Sequence, residues 1–277
     1  MNKKILIFTD LDGTLLDHYN YQTAPAEKMI ERLASNDIPI IPNSSKTLPE
    51  ILLIREQLKL TTPFIIENGA AVYIPVNYFQ QQPKDTNLEN GFWVKAFCKD
   101  KDHWLKLLSD SGELFTNAFQ GFTEMSDSQL AELTGLSIEN AAMAKQRQYG
   151  EPINWLGDET LKNEFIKKMD LLGAQVLQGG RFLHISGACD KGKAQSWLAE
   201  QYLHNESNPD ITETETIALG DGKNDIAMLE QASIAVQVRS PVHDFPQLKR
   251  TNNVYQSEEY GPAGWAECLD DILSAKR

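Results

Sequence analysis

The chain has few cysteines for its length of 277 residues. The three that it has, Cys98, Cys189 and Cys268, are an odd number, lie far apart and show no metal-ligand spacing. Neither a disulfide framework nor a cysteine-based zinc site is therefore expected. This use of cysteine is typical of a protein that works in a reducing compartment.

Basic residues are scarce relative to acidic ones. The sequence has 26 lysines and arginines against 39 aspartates and glutamates, which gives a formal net charge of −13 and a pI of about 4.9. Nucleic acids and anionic membranes bind surfaces that are rich in Lys and Arg, so neither is an expected partner. If the ligand is an anion, the basic groups that bind it must be gathered locally against the overall charge.

Long apolar segments are also missing. The apolar run that follows Lys3 and Lys4 ends before Asp10, which is too short for a signal peptide. No apolar stretch approaches the roughly 20 residues that a membrane-spanning helix needs. These features predict a soluble, cytoplasmic protein, and the hydrophobic content of 41% is sufficient for a buried core.

Short apolar strands alternate with helical segments in the first 75 residues and again after Asp190. This alternation is typical of βαβ units, which form a parallel sheet with helices on both faces. The spacing Thr47-Leu-Pro-Glu50 predicts a capping box at the start of one of the helices. Strands are predicted in this part of the chain at residues 5–9, 38–42, 64–66, 216–219 and 234–238.

The middle of the chain follows another pattern. A polar connection leads into strands and helices in mixed order, and Gly179-Gly180 predicts the turn of a hairpin. We therefore predict an α/β protein with two domains. A Rossmann-like parallel-sheet core is formed by residues 1–84 and 190–277, and an α+β cap domain is inserted at residues 85–189.

Two carboxylates directly follow the first predicted strand, in the sequence Asp10-Leu-Asp12-Gly-Thr14. Like charges at this spacing repel each other, and a buried strand end strengthens the repulsion. Either a cation lies there or one of the two carboxyl groups holds a proton. A lone Asp-x-Asp is common in proteins without catalytic meaning, so its significance depends on the other residues at the same edge of the sheet.

Three further polar motifs fall at predicted strand ends or helix starts, which is where open parallel sheets bind ligands. Each motif alone is better explained as a turn or a solvated lysine, but their placement on one edge favours a site. Carboxylates suit Mg²⁺, and a hydroxyl with an ammonium group suits a phosphoryl group. One carboxylate can attack phosphorus while the other acts as acid and base. The motifs are Ser44-Ser-Lys46, Asp190-Lys-Gly-Lys193 and Gly220-Asp-Gly-Lys-Asn-Asp225.

These four motifs resemble those of the haloacid dehalogenase superfamily of phosphatases, and the insert resembles the C2-type cap domain of its Cof-like branch. The resemblance implies that Asp10 is the nucleophile and Asp12 the acid and base. Haloacid dehalogenases lack the second aspartate, so Asp12 favours phosphoryl transfer over dehalogenation. The phosphate-binding residues that the resemblance implies are Ser44, Lys191 and Asn224. The implied Mg²⁺ ligands are Asp10, the backbone carbonyl of Asp12, Asp221 and Asp225.

A narrower resemblance concerns the second motif and the cap. The resemblance is to the branch that dephosphorylates mannosyl-3-phosphoglycerate. It rests on Ser44-Ser-Lys-Thr47, on Glu67-Asn-Gly-Ala70 and on two cap stretches, residues 147–152 and 180–184. Gly150 departs from this pattern, since a serine-like residue is expected there. Arg147 and Arg181 would bind the carboxylate of such a substrate. The simpler explanation is that the two arginines form surface ion pairs and that His184 is a buried structural residue. The substrate-binding residues implied are Lys46, Arg147, Glu151, Arg181 and His184.

Other functions remain open from the sequence. Another sugar-phosphate phosphatase, a glucosyl-3-phosphoglycerate phosphatase or a phosphomutase would use the same two aspartates. A phospho-receiver domain also combines an acidic pocket with a hydroxyl and a lysine. It is much shorter, lacks a cap and carries its phosphorylated aspartate further along the chain. An inactive scaffold is disfavoured, because every chemically important residue is present.

Overall fold

A computed structural model describes residues 2–179 and 182–275 of the chain. Its strands are β1 (Asn2–Thr9), β2 (Ile40–Pro42), β3 (Phe64–Ile66), β4 (Ala71–Pro75), β5 (Asn87–Glu89), β6 (Phe92–Ala96), β7 (Phe119–Gly121), β8 (Gly150–Trp155), β9 (Gln175–Gly179), β10 (Phe182–Ser186), β11 (Ile211–Gly220), β12 (Ile234–Arg239) and β13 (Val254–Tyr260). Its α-helices are α1 (Glu27–Ser35), α2 (Leu48–Gln57), α3 (Lys101–Ser109), α4 (Asp127–Thr134), α5 (Ile138–Ala144), α6 (Glu159–Leu171), α7 (Lys191–His204), α8 (Ile226–Gln231) and α9 (Gly261–Ser274).

A five-stranded parallel sheet forms the centre of the fold, in the order β13-β12-β11-β1-β2. The side chains of Leu6, Ile7 and Phe8 in β1 are fully buried, on both faces of the strand. Near-continuous apolar strands of this kind are typical of parallel sheets that are covered on both sides. The predicted α/β class with a parallel core sheet is confirmed.

The helix starts follow the signals in the sequence. The backbone N–H of Thr47 donates to Glu50 Oε2 at 2.9 Å before α2, and Ser126 and Gln129 form a second capping box before α4. The side chain of Asp190 accepts from the backbone N–H of Lys193 and caps α7. Each of these side chains satisfies a helix-terminal N–H that has no partner within its own helix.

A four-stranded sheet, β3-β4-β6-β5, was not foreseen. Asn43, directly after β2, is bridged to Ile65 of β3, but β3 then pairs antiparallel with β4. The reversal occurs at Glu67, Asn68 and Gly69, whose φ angles are 47°, 60° and 90°. Three successive residues in the left-handed region turn the chain back at once, so β4 follows where a helix would continue a βαβ unit.

The chain folds as two compact units, which we call unit 1 and unit 2. Unit 1 comprises Met1–Ser45, Leu60–Lys95 and Asp190–Arg277, and it contains the parallel sheet. The carboxyl ends of β1, β2 and β11, at Thr9, Pro42 and Gly220, lie on one edge of that sheet, because the three strands are parallel. Asp10, Ser44 and Asp221, which follow these strands, therefore belong to unit 1, whereas Lys46 of the second motif belongs to unit 2.

Unit 2 comprises Lys46–Lys59 and Ala96–Cys189. It contains the antiparallel sheet β7-β8-β10-β9, packed on a core that includes Phe165 and Met169. Helix α2 belongs to this unit, and the hydroxyl of Thr47 donates to the carbonyl of Met143 at 3.0 Å. The division into a core and a cap at residues 85–189 remains a proposal.

Residues 2–179 and 182–275 contain no candidate for a membrane-spanning helix. None of the helices there combines the length and the apolar composition that a membrane span requires. Cys98, Cys189 and Cys268 are free thiols in the structure.

Candidate active site

The carboxyl edge of the parallel sheet brings the predicted residues of unit 1 together. Asp10 follows β1, Ser44 follows β2 and Asp221 follows β11, while Lys191 is the first residue of α7. These four side chains are at most 6% exposed. Buried charged groups require partners, so the arrangement of their hydrogen bonds shows which groups act together.

Lys191 lies at the centre of this arrangement. Its Nζ donates to Asp10 Oδ1 at 2.5 Å and to Asp225 Oδ1 at 2.6 Å, and its side chain is fully buried. Burial alone would lower the pKa of Lys191, but the two carboxylates outweigh it, and the pKa is raised above its ordinary value. The lysine therefore stays charged and offers a fixed positive group beside Asp10.

Three carboxylates converge on one point. Asp10, Asp221 and Asp225 each offer an oxygen, and these oxygens lie within 4.8 Å of one another. Burial, together with the charge of Asp10, raises the pKa of Asp221 to about 6 and that of Asp225 to about 7, although Lys191 opposes both shifts. The three negative charges thus exceed what one lysine compensates, and the donor set fits a hard divalent cation.

Asp12 differs from the other aspartates. Its side chain is half-buried, and its carboxylate is not part of the three-carboxylate group. This placement supports the implied division of roles, in which Asp12 contributes a backbone carbonyl to the metal and keeps its carboxyl group for proton transfer.

The glycine and threonine of the first motif have structural reasons that sequence reasoning did not supply. Gly13 has a φ of +77°, and a Cβ there would lie 2.7 Å from Asp221 Oδ2. Thr14 Oγ1 donates to Asp221 Oδ1 at 3.2 Å. Gly13 therefore lets the loop after β1 approach β11, and Thr14 holds the Asp221 carboxylate in place.

The residues expected to bind phosphate lie around the turn between β3 and β4. Ser44 is fully buried, and its carbonyl accepts from the backbone N–H of Asn68 at 2.9 Å. Asn68 Oδ1 accepts from the exposed Asn224 Nδ2 at 3.1 Å. Asn68 thus connects Ser44 and Asn224, a link that the sequence did not reveal because the three residues are far apart in the chain.

Other supporting residues carried no signal in the sequence. Asn43 Nδ2 donates to the carbonyl of Lys191 at 3.0 Å, which fixes the start of α7. Trp265 Nε1 donates to Thr9 Oγ1 at 3.0 Å, and Thr9 Oγ1 donates to the carbonyl of Asp10 at 2.6 Å. Only the folded chain shows these contacts, since Trp265 and Thr9 are 256 residues apart.

The expected substrate-binding residues belong to unit 2. Lys46 Nζ lies 3.6 Å from Glu50 Oε1 in an ion pair. Glu151 is 2% exposed and accepts from the backbone N–H and the hydroxyl of Thr123, while burial raises its pKa. Burial and the charge of Arg147 lower the pKa of His184 to about 3, so the imidazole is neutral. Arg181 lies outside the described residues.

Glu151 and His184 lie on opposite faces of the unit 2 sheet. Glu151 is paired with Ile185, and His184 is paired with Pro152, so the two polar side chains alternate across the strands. Glu151 lines a cavity of about 410 Å³ together with Thr123. The predicted substrate-binding set therefore has members on both faces of this sheet.

A comparison with protein families identifies the chain. The model of the haloacid dehalogenase-like hydrolases matches residues 7–243. The chain belongs to this family. The predicted superfamily, and with it the prediction that the protein is an enzyme, is confirmed.

Two curated relatives of this hydrolase cover nearly its whole length. A protein of Methanococcoides burtonii is 33% identical over 98% of this chain and 97% of its own length, and one of Persephonella marina is 31% identical over the same shares. Both are named glucosyl-3-phosphoglycerate/mannosyl-3-phosphoglycerate phosphatase.

Solved structures share the fold at lower identity. A haloacid dehalogenase-like hydrolase from Bacteroides thetaiotaomicron is 17% identical, with a TM-score of 0.65 over 98% of this chain and all of its own. The sucrose-phosphatase of Synechocystis is 16% identical, with a TM-score of 0.59 over 98% of this chain and 99% of its own. These likenesses support the fold and no particular substrate.

Proposed function

We propose that this hydrolase is a Mg²⁺-dependent phosphatase that converts mannosyl-3-phosphoglycerate to mannosylglycerate and phosphate. One observation carries the proposal: the buried Lys191 joins Asp10 and Asp225 beside Asp221, at the carboxyl edge of the sheet. The names of two relatives above 30% identity support the phosphoric monoester as the bond that is cleaved.

The reaction divides between Asp10 and Asp12. An Asp10 oxygen attacks phosphorus, the bond between phosphorus and the glycerate oxygen breaks, and Asp12 gives its proton to that oxygen. Asp12 then takes a proton from water, whose oxygen attacks the aspartyl-phosphate and releases inorganic phosphate and the Asp10 carboxylate. Ser44, Asn224 and the charged Lys191 hold the phosphoryl oxygens through both steps.

Asp10, Asp221, Asp225 and the carbonyl of Asp12 would hold the Mg²⁺ ion. Once bound, the ion neutralises the carboxylate group and the negative charge on the phosphoryl oxygens. The raised pKa values of Asp221 and Asp225 fit this assignment, because burial and the neighbouring carboxylates disfavour their charged forms and a divalent cation would offset both effects.

The rest of the substrate is assigned to Lys46 and to the cap residues Arg147, Glu151, Arg181 and His184. Glucosyl-3-phosphoglycerate is the second candidate substrate, because the two relatives carry both sugars in their names. Other sugar phosphates and a phosphomutase reaction are the remaining alternatives. The three free thiols favour the cytoplasm as the location.

Release of inorganic phosphate tests the proposal. Mannosyl-3-phosphoglycerate and glucosyl-3-phosphoglycerate are compared with 3-phosphoglycerate and mannose 6-phosphate, each with Mg²⁺. We expect the highest kcat/KM for the mannosyl compound and no turnover by Asp10→Asn. Similar values for all four would limit the proposal to a general phosphatase, and activity retained by Asp10→Asn would exclude this nucleophile.

A further inference from the structure

Unit 1 contains a polar cavity that the proposed reaction does not use. It has a volume of about 640 Å³ and lies at the carboxyl end of β12, where the chain continues into the loop after Arg239. We call it the β12 cavity. The residues that line it include Arg239, Ser240, His243, Asp244, Phe245 and Tyr260.

Ser240 is the first sign that the β12 cavity binds a ligand. The side chain is only 9% exposed, and its Oγ is buried without a hydrogen-bond partner in residues 2–179 and 182–275. A buried hydroxyl left in this state costs about 1–3 kcal/mol. A ligand atom that accepts a hydrogen bond from the Ser240 hydroxyl would remove this cost.

Arg239 supplies a positive charge that is held in place. Its guanidinium group lies 5.1 Å from the centre of the Tyr260 ring, and Nη1 donates to the carbonyl of Glu258 at 3.2 Å. The bond to Glu258 uses one of five N–H donors, so the planar group retains the geometry that binds a carboxylate. The chain has a net charge of −13, so a positively charged donor beside a buried hydroxyl gives this cavity a local charge opposite to that of the whole protein.

His243 connects the β12 cavity with the candidate active site. Its Nε2 lies 3.3 Å from Asp221 Oδ2, and Asp221 belongs to the three-carboxylate group with Asp10. Strands β11 and β12 are parallel neighbours, so the loops that carry Asp221 and Ser240 leave the sheet side by side. The β12 cavity therefore adjoins the three-carboxylate group through His243.

We propose that the β12 cavity binds the carboxylate of the substrate through Ser240 and Arg239. His243 lies beside them, with Nε2 facing Asp221 and Nδ1 3.1 Å from the carbonyl oxygen of Asp244. The inference rests on the proposed phosphatase function and deepens it, because it assigns residues of unit 1 to the carboxylate of the phosphoglycerate. The only carboxylate on the cavity wall, among the described residues, is the exposed Asp244, whereas the other polar groups there are donors. For the carboxylate alone, this assignment to unit 1 replaces the cap residue Arg147 of unit 2.

Two esters that differ only at the carboxylate test the inference. 3-Phosphoglycerate carries a carboxylate where glycerol 3-phosphate carries a hydroxymethyl group. Arg239→Gln is expected to lower kcat/KM for 3-phosphoglycerate by about 10- to 100-fold, mainly through KM, as loss of a charged hydrogen bond does. Ser240→Ala is expected to lower it by about 3- to 10-fold. Values for glycerol 3-phosphate should change by no more than about twofold, which is within ordinary variation of surface substitutions.

Lys249→Gln is the matched control, because it removes one positive charge from an exposed side chain outside the β12 cavity. It should leave both kcat/KM values unchanged. Equal effects of Arg239→Gln on the two esters would overturn the inference. The inference would also be overturned if Arg147→Gln abolished the preference for 3-phosphoglycerate over glycerol 3-phosphate and Arg239→Gln did not.

Direct binding separates failure of this inference from failure of the proposed function. If the wild-type protein releases phosphate from none of the esters, mannosyl-3-phosphoglycerate and glucosyl-3-phosphoglycerate included, the phosphatase proposal fails. Calorimetry with Asp10→Asn then measures the binding of both esters. Tighter binding of 3-phosphoglycerate that Arg239→Gln abolishes supports the carboxylate site, and equal or undetectable binding of the two esters overturns it.

Discussion

At the scale of single residues, Lys191 connects stability and function most closely. Its ammonium group lies between two carboxylates in a fully buried position, and the pKa values of both Lys191 and Asp225 are raised there. A buried ion pair adds little stability by itself, but removing one partner leaves the other charges uncompensated. The same contact that holds Asp10, the proposed nucleophile, therefore makes the fold dependent on this lysine.

Lys191→Met is expected to abolish phosphate release and to lower the free energy of unfolding by about 3–5 kcal/mol. Lys193→Met is the control, since Lys193 is in the same helical turn but exposed, with its Nζ 3.5 Å from Asp190. That variant should retain activity and lose less than about 1 kcal/mol. Denaturant unfolding and a phosphate-release assay measure both effects. Equal stability of the two variants would contradict the role of Lys191 in compensating the buried carboxylates.

At the scale of secondary-structure elements, the sequence predicted the functional edge of the sheet but not its supports. Asp10, Ser44 and Asp221 were predictable, because each follows a short apolar strand in a βαβ rhythm. The β3–β4 reversal was not predicted, although Asn68-Gly69 between two apolar segments is a recognised hairpin signal. Ser240 was also missed, since a single serine after a strand is ordinarily a turn residue.

The β3–β4 turn supports the start of α7 by close contact. Gly69 has a φ of +90°, and a Cβ there would lie 2.2 Å from the carbonyl oxygen of Asp190, next to Lys191. Gly69→Ala therefore combines an unfavourable backbone conformation with a clash against a backbone atom. We expect it to displace Lys191 and to lower both stability and kcat.

Gly91→Ala isolates the contribution of the clash. Gly91 has a similar φ of +84°, but no atom lies within 4 Å of the position of its Cβ. This variant should lose only the roughly 1–2 kcal/mol that a left-handed alanine costs, and it should keep its activity. Thermal unfolding and kinetics of the two variants give the comparison. Equal losses would mean that the contact between the turn and α7 has no effect of its own.

At the scale of the whole molecule, the three-carboxylate group makes stability depend on pH and Mg²⁺ together. The pKa values of Asp221 and Asp225 are raised from 3.8 to about 6 and about 7. Without metal, the folded protein therefore binds more protons than the unfolded chain at pH values between the ordinary pKa of 3.8 and the raised pKa of each group. The stability that this protonation provides is fully present below the ordinary pKa and is lost as the pH rises through the raised values.

We expect the metal-free protein to lose up to about 1.4 kcal/mol of stability per pH unit for each of the two groups between pH 4 and 7. Mg²⁺ should reverse this trend, because it binds the deprotonated carboxylates and contributes about 2.7 kcal/mol at 100 times its Kd. Asp221→Asn should be less sensitive to pH without metal and should respond weakly to Mg²⁺. Unfolding with Mg²⁺ and with EDTA at several pH values tests this. A wild-type protein whose pH dependence matches that of Asp221→Asn in both conditions would show that these carboxylates do not bind the ion.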